Sequence, residues 1–372
     1  MKIMFNCLNM NKGGAERVIS VLSNNFIKKH EVVILTLRNE KYNYKLNEKI
    51  KKINVSPSPK KRFFRKMSKL SIVSLLKLNK LIKKENPDII ISFLSEPSFK
   101  LMLLKKIDSK IKKIPVIVSI RNDPNIEFKN PIINSIMRYL YKDLDGLVLQ
   151  TEKSREYFEK KLRKVKNSVI IFNPVDDSFI FDKPFDRVRK KEFVSVGRLE
   201  HSKNHFLLIN SFIDFHKNNK DYMLKIYGEG SLMESLEKYI KKNNAQKYIK
   251  LMGKTDNIKQ ICNATCFVLS SNNEGMPNCL IEAMCMGIPC ISTKVSGATD
   301  LIEDNVNGLL VDINNKNQMI NQMEKICNDK KLQNFISKNA IKILKYLKSD
   351  IIANQWIEYI NKIVEDFKNE KK

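Results

Sequence analysis

In the stretch NNEGMPNCLIEAMCMGIPC, Glu274 and Glu282 stand on either side of a Gly-Met-Pro turn, with seven residues between them. Glu274 precedes the turn, and Glu282 falls about one turn into the helix that NCLIEAMCMG predicts. Carboxylates so placed can accept hydrogen bonds from sugar hydroxyls, bidentately where two are vicinal. The amides from Met276 to Cys279 would serve as anion donors at the helix start. The same positions suit a capping role for Glu274 and a helix-dipole role for Glu282, and the pair alone does not separate the two. A second stretch, SVGRLEHSKN, puts Arg198 and Lys203 five residues apart between a strand and a helix. Two cations there suit a diphosphate leaving group whose negative charge grows in the transition state. A plain surface cation is the alternative for Lys203 in so lysine-rich a chain. A third, LNMNKGGAERV, places Gly13 and Gly14 where backbone amides can approach a phosphate. No GxGxxG fingerprint accompanies them, and the GEG at Gly228 to Gly230 reads as a strand-helix turn.

Positioning these loops requires strands that end beside them. KIMFNCL, EVVILTL, DIIISFLS, PVIVSIR, GLVLQT and SVIIFNPV read as buried strands in the first half, and EFVSVGR, MLKIYG, IKLMG, CFVLSS, PCISTK and GLLVD in the second. Amphipathic stretches alternate with most of them, so each half reads as α/β with a parallel sheet covered on both faces. The alternation lapses around FNPVDDSFIFDKPFDRVRKK. The expected boundaries are residues 1–176 for one doubly wound domain, 177–190 for a linker and 191–350 for a second. A C-terminal helix over 351–372, carrying Trp356, is expected to pack back toward the first. In open α/β sheets ligands sit beyond the carboxyl ends of the strands, and two such domains facing across a cleft would bring the three loops together.

At 372 residues the chain is long enough to bury two cores, and its 42% hydrophobic content excludes a disordered protein. The formal charge of +28 draws the chain toward anionic partners, although an AT-rich source, visible in the abundance of Lys, Asn and Ile, accounts for part of it. The seven cysteines form no CxxC pair or zinc spacing and read as reduced thiols. MKIMFNCLNM has no signal-peptide pattern, and no run approaches the length of a membrane span. A cytoplasmic location is expected.

The GGAERV opening, SVGRLEHSKN, IYGEGS, LMGKTDNI and the block from EGMPNCLIEAMCMGIPC to NGLLVD resemble the family 4 retaining glycosyltransferases over essentially the full chain. The resemblance implies the GT-B fold, two Rossmann-like domains facing across a cleft, with acceptor binding in the first and nucleotide-sugar binding in the second. It implies transfer of a hexose or N-acetylhexosamine, with the anomeric configuration kept and neither metal nor other cofactor. Arg198 and Lys203 would hold the donor diphosphate, with Gly14 approaching it. Glu282 would take the ribose hydroxyls and Glu274 the transferred sugar near its O3 and O4. Gly275, Met276, Pro277 and Asn278 would supply amides to that sugar, and the turn from Gly253 to Thr255, including Lys254, would lie against the base. Where many members carry a histidine, this chain has SIRNDP, leaving Ser119, Arg121 and Asn122 as acceptor-side candidates. GGAERV with SIRNDP is similar to the branch that builds capsules and lipid-linked glycans, so the expected acceptor is a glycan or a polyprenyl-linked sugar.

From Lys49 to Lys84 the sequence contains no acidic residue. Read as an amphipathic helix in its later part, the segment would dock on the anionic inner leaflet through Lys60, Lys61, Arg62 and Arg65, with Phe63 and Phe64 inserting. A solvated face on a core helix is the alternative. Two other functions compete: a UDP-sugar 2-epimerase of the same fold, and a basic nucleic-acid-binding protein. The chain shows no recognition-helix, RNP-type or OB-type signature, so no nucleic-acid partner is expected. The complete Arg-Lys-Glu-Glu set also argues against a non-catalytic subunit.

Overall fold

The computed structural model describes the whole chain except residues 12, 39–41, 56–71, 163–166, 182–187, 256–257 and 371–372. The proposed membrane residues Lys60, Lys61, Arg62, Phe63, Phe64 and Arg65 lie outside the described residues. The chain divides into two units, Met1–Pro174 with Ser349–Lys372, and Val175–Lys348.

Among the described residues, the first unit has strands β1 (Lys2–Cys7), β2 (Glu31–Thr36), β3 (Lys51–Asn54), β4 (Ile89–Phe93), β5 (Val116–Ser119), β6 (Gly146–Leu149) and β7 (Ser168–Ile170). They form one parallel sheet in the order β3-β2-β1-β4-β5-β6-β7. The central strands are buried along almost their whole length, which explains their continuous apolar runs. Strand β3 is a correction to the sequence reading, which places its residues in the acid-free basic segment from Lys49 to Lys84 and assigns no strand there. Among the described residues KKIN pairs only with β2, so Lys51, Lys52 and Asn54 are solvated and no apolar run marks the strand.

Right-handed crossovers put the helices Ile72–Glu85, Ser95–Ile107 and Pro131–Tyr141 in a row on one side of this sheet, each touching the next. The helix Gly14–Phe26 covers the other side and packs against the C-terminal helix Ser349–Asn369. That last helix is anchored by two residues. Trp356 is fully buried and stacks on Phe93 with ring centroids 6.1 Å apart. The Tyr359 hydroxyl accepts from the Leu147 amide at 2.9 Å and donates to the Asn167 carbonyl at 2.7 Å.

In the second unit, β8 (Lys190–Val196), β9 (Met223–Tyr227), β10 (Ile249–Gly253), β11 (Ala264–Leu269), β12 (Cys290–Thr293) and β13 (Leu309–Val311) form another parallel sheet, again among the described residues. Its order is β10-β9-β8-β11-β12-β13. Phe193, Phe212, Phe215 and Ile226 head its core. The strand order reverses between β1 and β4 in the first unit and between β8 and β11 in the second. Chains leaving neighbouring strands in opposite directions open a crevice at such a point, and the loops after these four strands border it.

Candidate active site

The second unit's crevice is bordered by Gly197 to Asn204 after β8 and by Ser270 to Pro277 after β11. Four hydrogen bonds lace these loops together. The Asn272 amide donates to the Ser202 carbonyl at 2.8 Å, and the Asn272 side chain donates to the His201 carbonyl at 3.2 Å. The Ser270 hydroxyl donates to the Lys203 carbonyl at 2.9 Å, and Asn204 Nδ2 donates to Asn272 Oδ1, also at 2.9 Å. Asn204 has φ 47°, a left-handed conformation that Asn tolerates better than most residues, and its Oδ1 caps the helix His205–Asn218.

Lys203 and Glu274 meet inside this frame. The ammonium is paired with Glu274 Oε1, which also accepts from the Ser271 hydroxyl at 2.7 Å. Both side chains are about 15% exposed or less. Burial alone would lower the lysine's pKa, but the charge and hydrogen bond of Glu274 outweigh it, and the ammonium is held charged. Glu274 is thus committed to Lys203 and Ser271. The helix Asn278–Cys285 begins at Pro277, whose own side chain offers no cap. Glu282 is buried within that helix. Arg198 differs from Lys203. Its side chain is 72% exposed and contacts Glu200 at 3.2 Å, so the guanidinium stands in solvent at the crevice rim. Lys254, just past β10, is also exposed.

Two glycines fix how closely the surrounding backbone approaches. Gly228 has φ 148°, and a Cβ there would lie 1.8 Å from the Gly197 carbonyl oxygen. This gives the GEG turn its reason, since only a bare Cα lets the β9 loop touch the β8 loop. A Cβ on Gly297 would lie 2.1 Å from the Gly275 oxygen and 2.7 Å from the Met276 Cα, so the Gly275 to Pro277 turn rests on the helix Ser296–Leu301. Thr293 Oγ1 donates to the Ser271 carbonyl at 2.6 Å and steadies the same turn. Asn204, Asn272, Thr293 and Gly297 were absent from the sequence-based site. Of these, the helix-capping position of Asn204 was the only local signal.

The remaining candidates lie in the first unit. Gly14 opens the helix Gly14–Phe26 after an extended Gly13. A Cβ on Gly13 would stand 2.2 Å from Glu16 Oε2, so this carboxylate covers the Gly13 backbone. At the carboxyl end of β5, Ser119 has no exposed surface and Arg121 is buried, whereas Asn122 is exposed. Arg121 donates to Asn173 Oδ1 at 2.8 Å, while its Nε and Nη2 have no hydrogen-bond partner among the described residues. Its guanidinium lies 4.5 Å from the Phe93 ring centre and 5.7 Å from that of Trp356. The aromatic faces partly offset its desolvation, which pushes the pKa down to about 9 and leaves the group charged at neutral pH. Nearby, Glu127 is drawn toward Ser95 and Asn122, and burial pushes its carboxyl up. Among the described residues, no group of three or more His, Cys, Asp or Glu could hold a metal ion.

Two family models account for most of the chain. Glycosyltransferase Family 4 matches residues 12–179, and Glycosyl transferases group 1 matches residues 176–343. The chain belongs to glycosyltransferase family 4. As a family 4 glycosyltransferase it has the GT-B fold. Anabaena HepE (Alr3699), solved in complex with UDP, matches with a TM-score of 0.81 at 16% identity, over 97% of this chain and all of its own. A Campylobacter jejuni relative is 28% identical over 98% of this chain and 99% of its own. Its name is GalNAc-alpha-(1->4)-GalNAc-alpha-(1->3)-diNAcBac-PP-undecaprenol alpha-1,4-N-acetyl-D-galactosaminyltransferase. An Escherichia coli relative, UDP-Gal:alpha-D-GlcNAc-diphosphoundecaprenol alpha-1,3-galactosyltransferase, is 28% identical over 72% of this chain and 73% of its own.

Proposed function

We propose that this glycosyltransferase moves a hexose or N-acetylhexosamine from a UDP-sugar to a polyprenyl-diphosphate-linked glycan, with retention and without a metal, at the inner face of the cell membrane in surface-polysaccharide assembly. The observation that carries the reading is the Lys203–Glu274 pair at the strand-order reversal of the second unit. The acceptor class is supported by the two relatives, whose names specify undecaprenyl-linked substrates. The donor class is supported by the UDP in the HepE structure and by the E. coli relative's name.

In this reading Lys203 and Arg198 take the diphosphate, and Glu274 is freed from the ammonium to accept from the sugar hydroxyls. Glu282 holds the ribose, Lys254 borders the base, and the amides of Gly275 to Asn278 face the sugar. Gly14 approaches the diphosphate, and Ser119, Arg121 and Asn122 serve the acceptor, with Ser119 acting through its neighbours. The sugar-to-phosphate bond breaks as the acceptor hydroxyl bonds to the anomeric carbon on the same face. The acceptor proton passes to the departing phosphate oxygen, so no separate base is needed. Lys203, held in place by Glu274, and Arg198 at the crevice rim supply the countercharge that the leaving diphosphate requires.

The test separates the two carboxylates. Glu282→Ala should weaken UDP binding and transfer together, measured by calorimetry and by product formation. Glu274→Ala should abolish transfer while leaving UDP affinity nearly intact. Equal loss of UDP binding in both variants would overturn the assignment.

A further inference from the structure

The helix Pro131–Tyr141 carries a broad apolar arc, and only part of it is buried. Met137, Leu140 and Tyr141 point into the core. Ile132, Ile136 and Tyr139 follow at helical spacing along the flank of that core face, where Ile132 is 68% and Tyr139 59% exposed. Ile133 beside them and Ile126 just before the helix are exposed as well. Large apolar side chains exposed at successive turns of one helix, with another just before it, are of the kind that marks an interaction surface.

The surroundings select the partner. From Phe128 to Lys142 the chain carries three cations, Lys129, Arg138 and Lys142, and no acid. Tyr139 sits between two ammonium groups, Lys106 Nζ at 4.6 Å and Lys142 Nζ at 5.2 Å from its ring centre. Asp143, which follows, is ion-paired with Lys106. An exposed aliphatic stripe, a tyrosine at its margin and a ring of cations match the layers of an anionic bilayer: acyl chains, interface and headgroups. On the same side of the sheet, the helix Ile72–Glu85 exposes Ile72, Val73 and Leu76 beside the exposed Lys77 and Lys80. No helix among the described residues is long and apolar enough to cross a membrane, so contact through these helices would be peripheral.

We infer that the outer face of the helix Pro131–Tyr141, with Ile126, is a docking surface for an anionic lipid leaflet. The docking serves the lipid-linked acceptor proposed above, yet it stands on its own residues, and either reading can fail alone. The full chain should co-sediment with vesicles of mixed phosphatidylglycerol and phosphatidylcholine and much less with phosphatidylcholine alone. Replacing Ile132, Ile136 and Tyr139 together by Ser should lower that partitioning about tenfold or more, since apolar burial is lost. These side chains are exposed, so the melting temperature should not move. UDP affinity and transfer to a water-soluble acceptor should also persist, and they report separately on the transferase reading. Ile132→Trp gives a second readout that needs no disruptive change. Its emission should shift to the blue on phosphatidylglycerol vesicles, against the constant background of the buried Trp356. Unchanged partitioning of the triple variant, or an unshifted tryptophan, would overturn the inference. So would a wild-type dimer in light scattering that the triple variant splits, because the face would then belong to a second copy.

Discussion

Arg198 and Lys203 share a proposed role but not an environment, so their replacements should separate. Arg198→Ala removes an exposed side chain and should leave the melting temperature unchanged. Lys203→Ala strands the largely buried Glu274 with only Ser271, and should lower stability by about 1–3 kcal/mol. Both should cut turnover roughly 100-fold to 1000-fold, as the loss of one preorganised transition-state partner does. Near-normal turnover in either would remove that residue from the diphosphate site. Just beyond Lys203, the buried His205 provides a pH readout of the same frame. Burial first, and the Lys203 ammonium second, push its pKa from 6.5 down to about 4. The unfolded chain therefore takes up this proton at a higher pH than the folded one. Stability from this source is complete above pH 6.5 and is lost as pH falls toward 4, by about 3 kcal/mol in all. His205→Leu should flatten that part of the curve of melting temperature against pH, and an unaltered curve would show that the histidine is not held neutral.

Among the elements, the helix Ser296–Leu301 shapes the site by supporting its backbone. Its Gly297 lies against the Gly275 to Pro277 turn, so Gly297→Ala must push that turn outward. A loss of about 1–3 kcal/mol in urea unfolding should accompany weaker donor binding. Full stability with normal activity would mean the turn yields at no cost. This contact also shows where sequence reading ends. Arg198, Lys203 and Glu274 could be picked out as candidates because they lie in the loops that follow β8 and β11, and Glu282 because it lies in the helix after the second loop, places that chain-local pattern finds. The bonds from Asn272 to His201 and Ser202 join loops about 70 residues apart in sequence and depend on β8 lying next to β11. No local pattern carries that register. Buried strands declared themselves by continuous apolar runs, whereas β3 did not, because an edge strand with solvated lysines resembles a charged loop. The C-terminal helix was legible as a helix, but its attachment through Tyr359 to Leu147 and Asn167 was not.

For the molecule as a whole, the proposed chemistry has a direct check. Transfer should survive EDTA, and an α-linked donor should yield an α-linked product, read from the anomeric proton coupling. An inverted product would rule out retention, and loss of activity restored by a divalent cation would rule out metal independence. The two units also differ in how the chain builds them. Val175–Lys348 is a single unbroken segment, whereas the first unit is completed only by Ser349–Asn369. A ribosome therefore delivers the entire second unit before the helix that brings Trp356 to Phe93 and Tyr359 to Leu147. Until that helix emerges, the Arg121 guanidinium lacks one of its aromatic walls and the amide of Leu147 lacks its partner. The half of the enzyme made first is thus finished last, and a message cut short before Ser349 would leave that half without its closing helix.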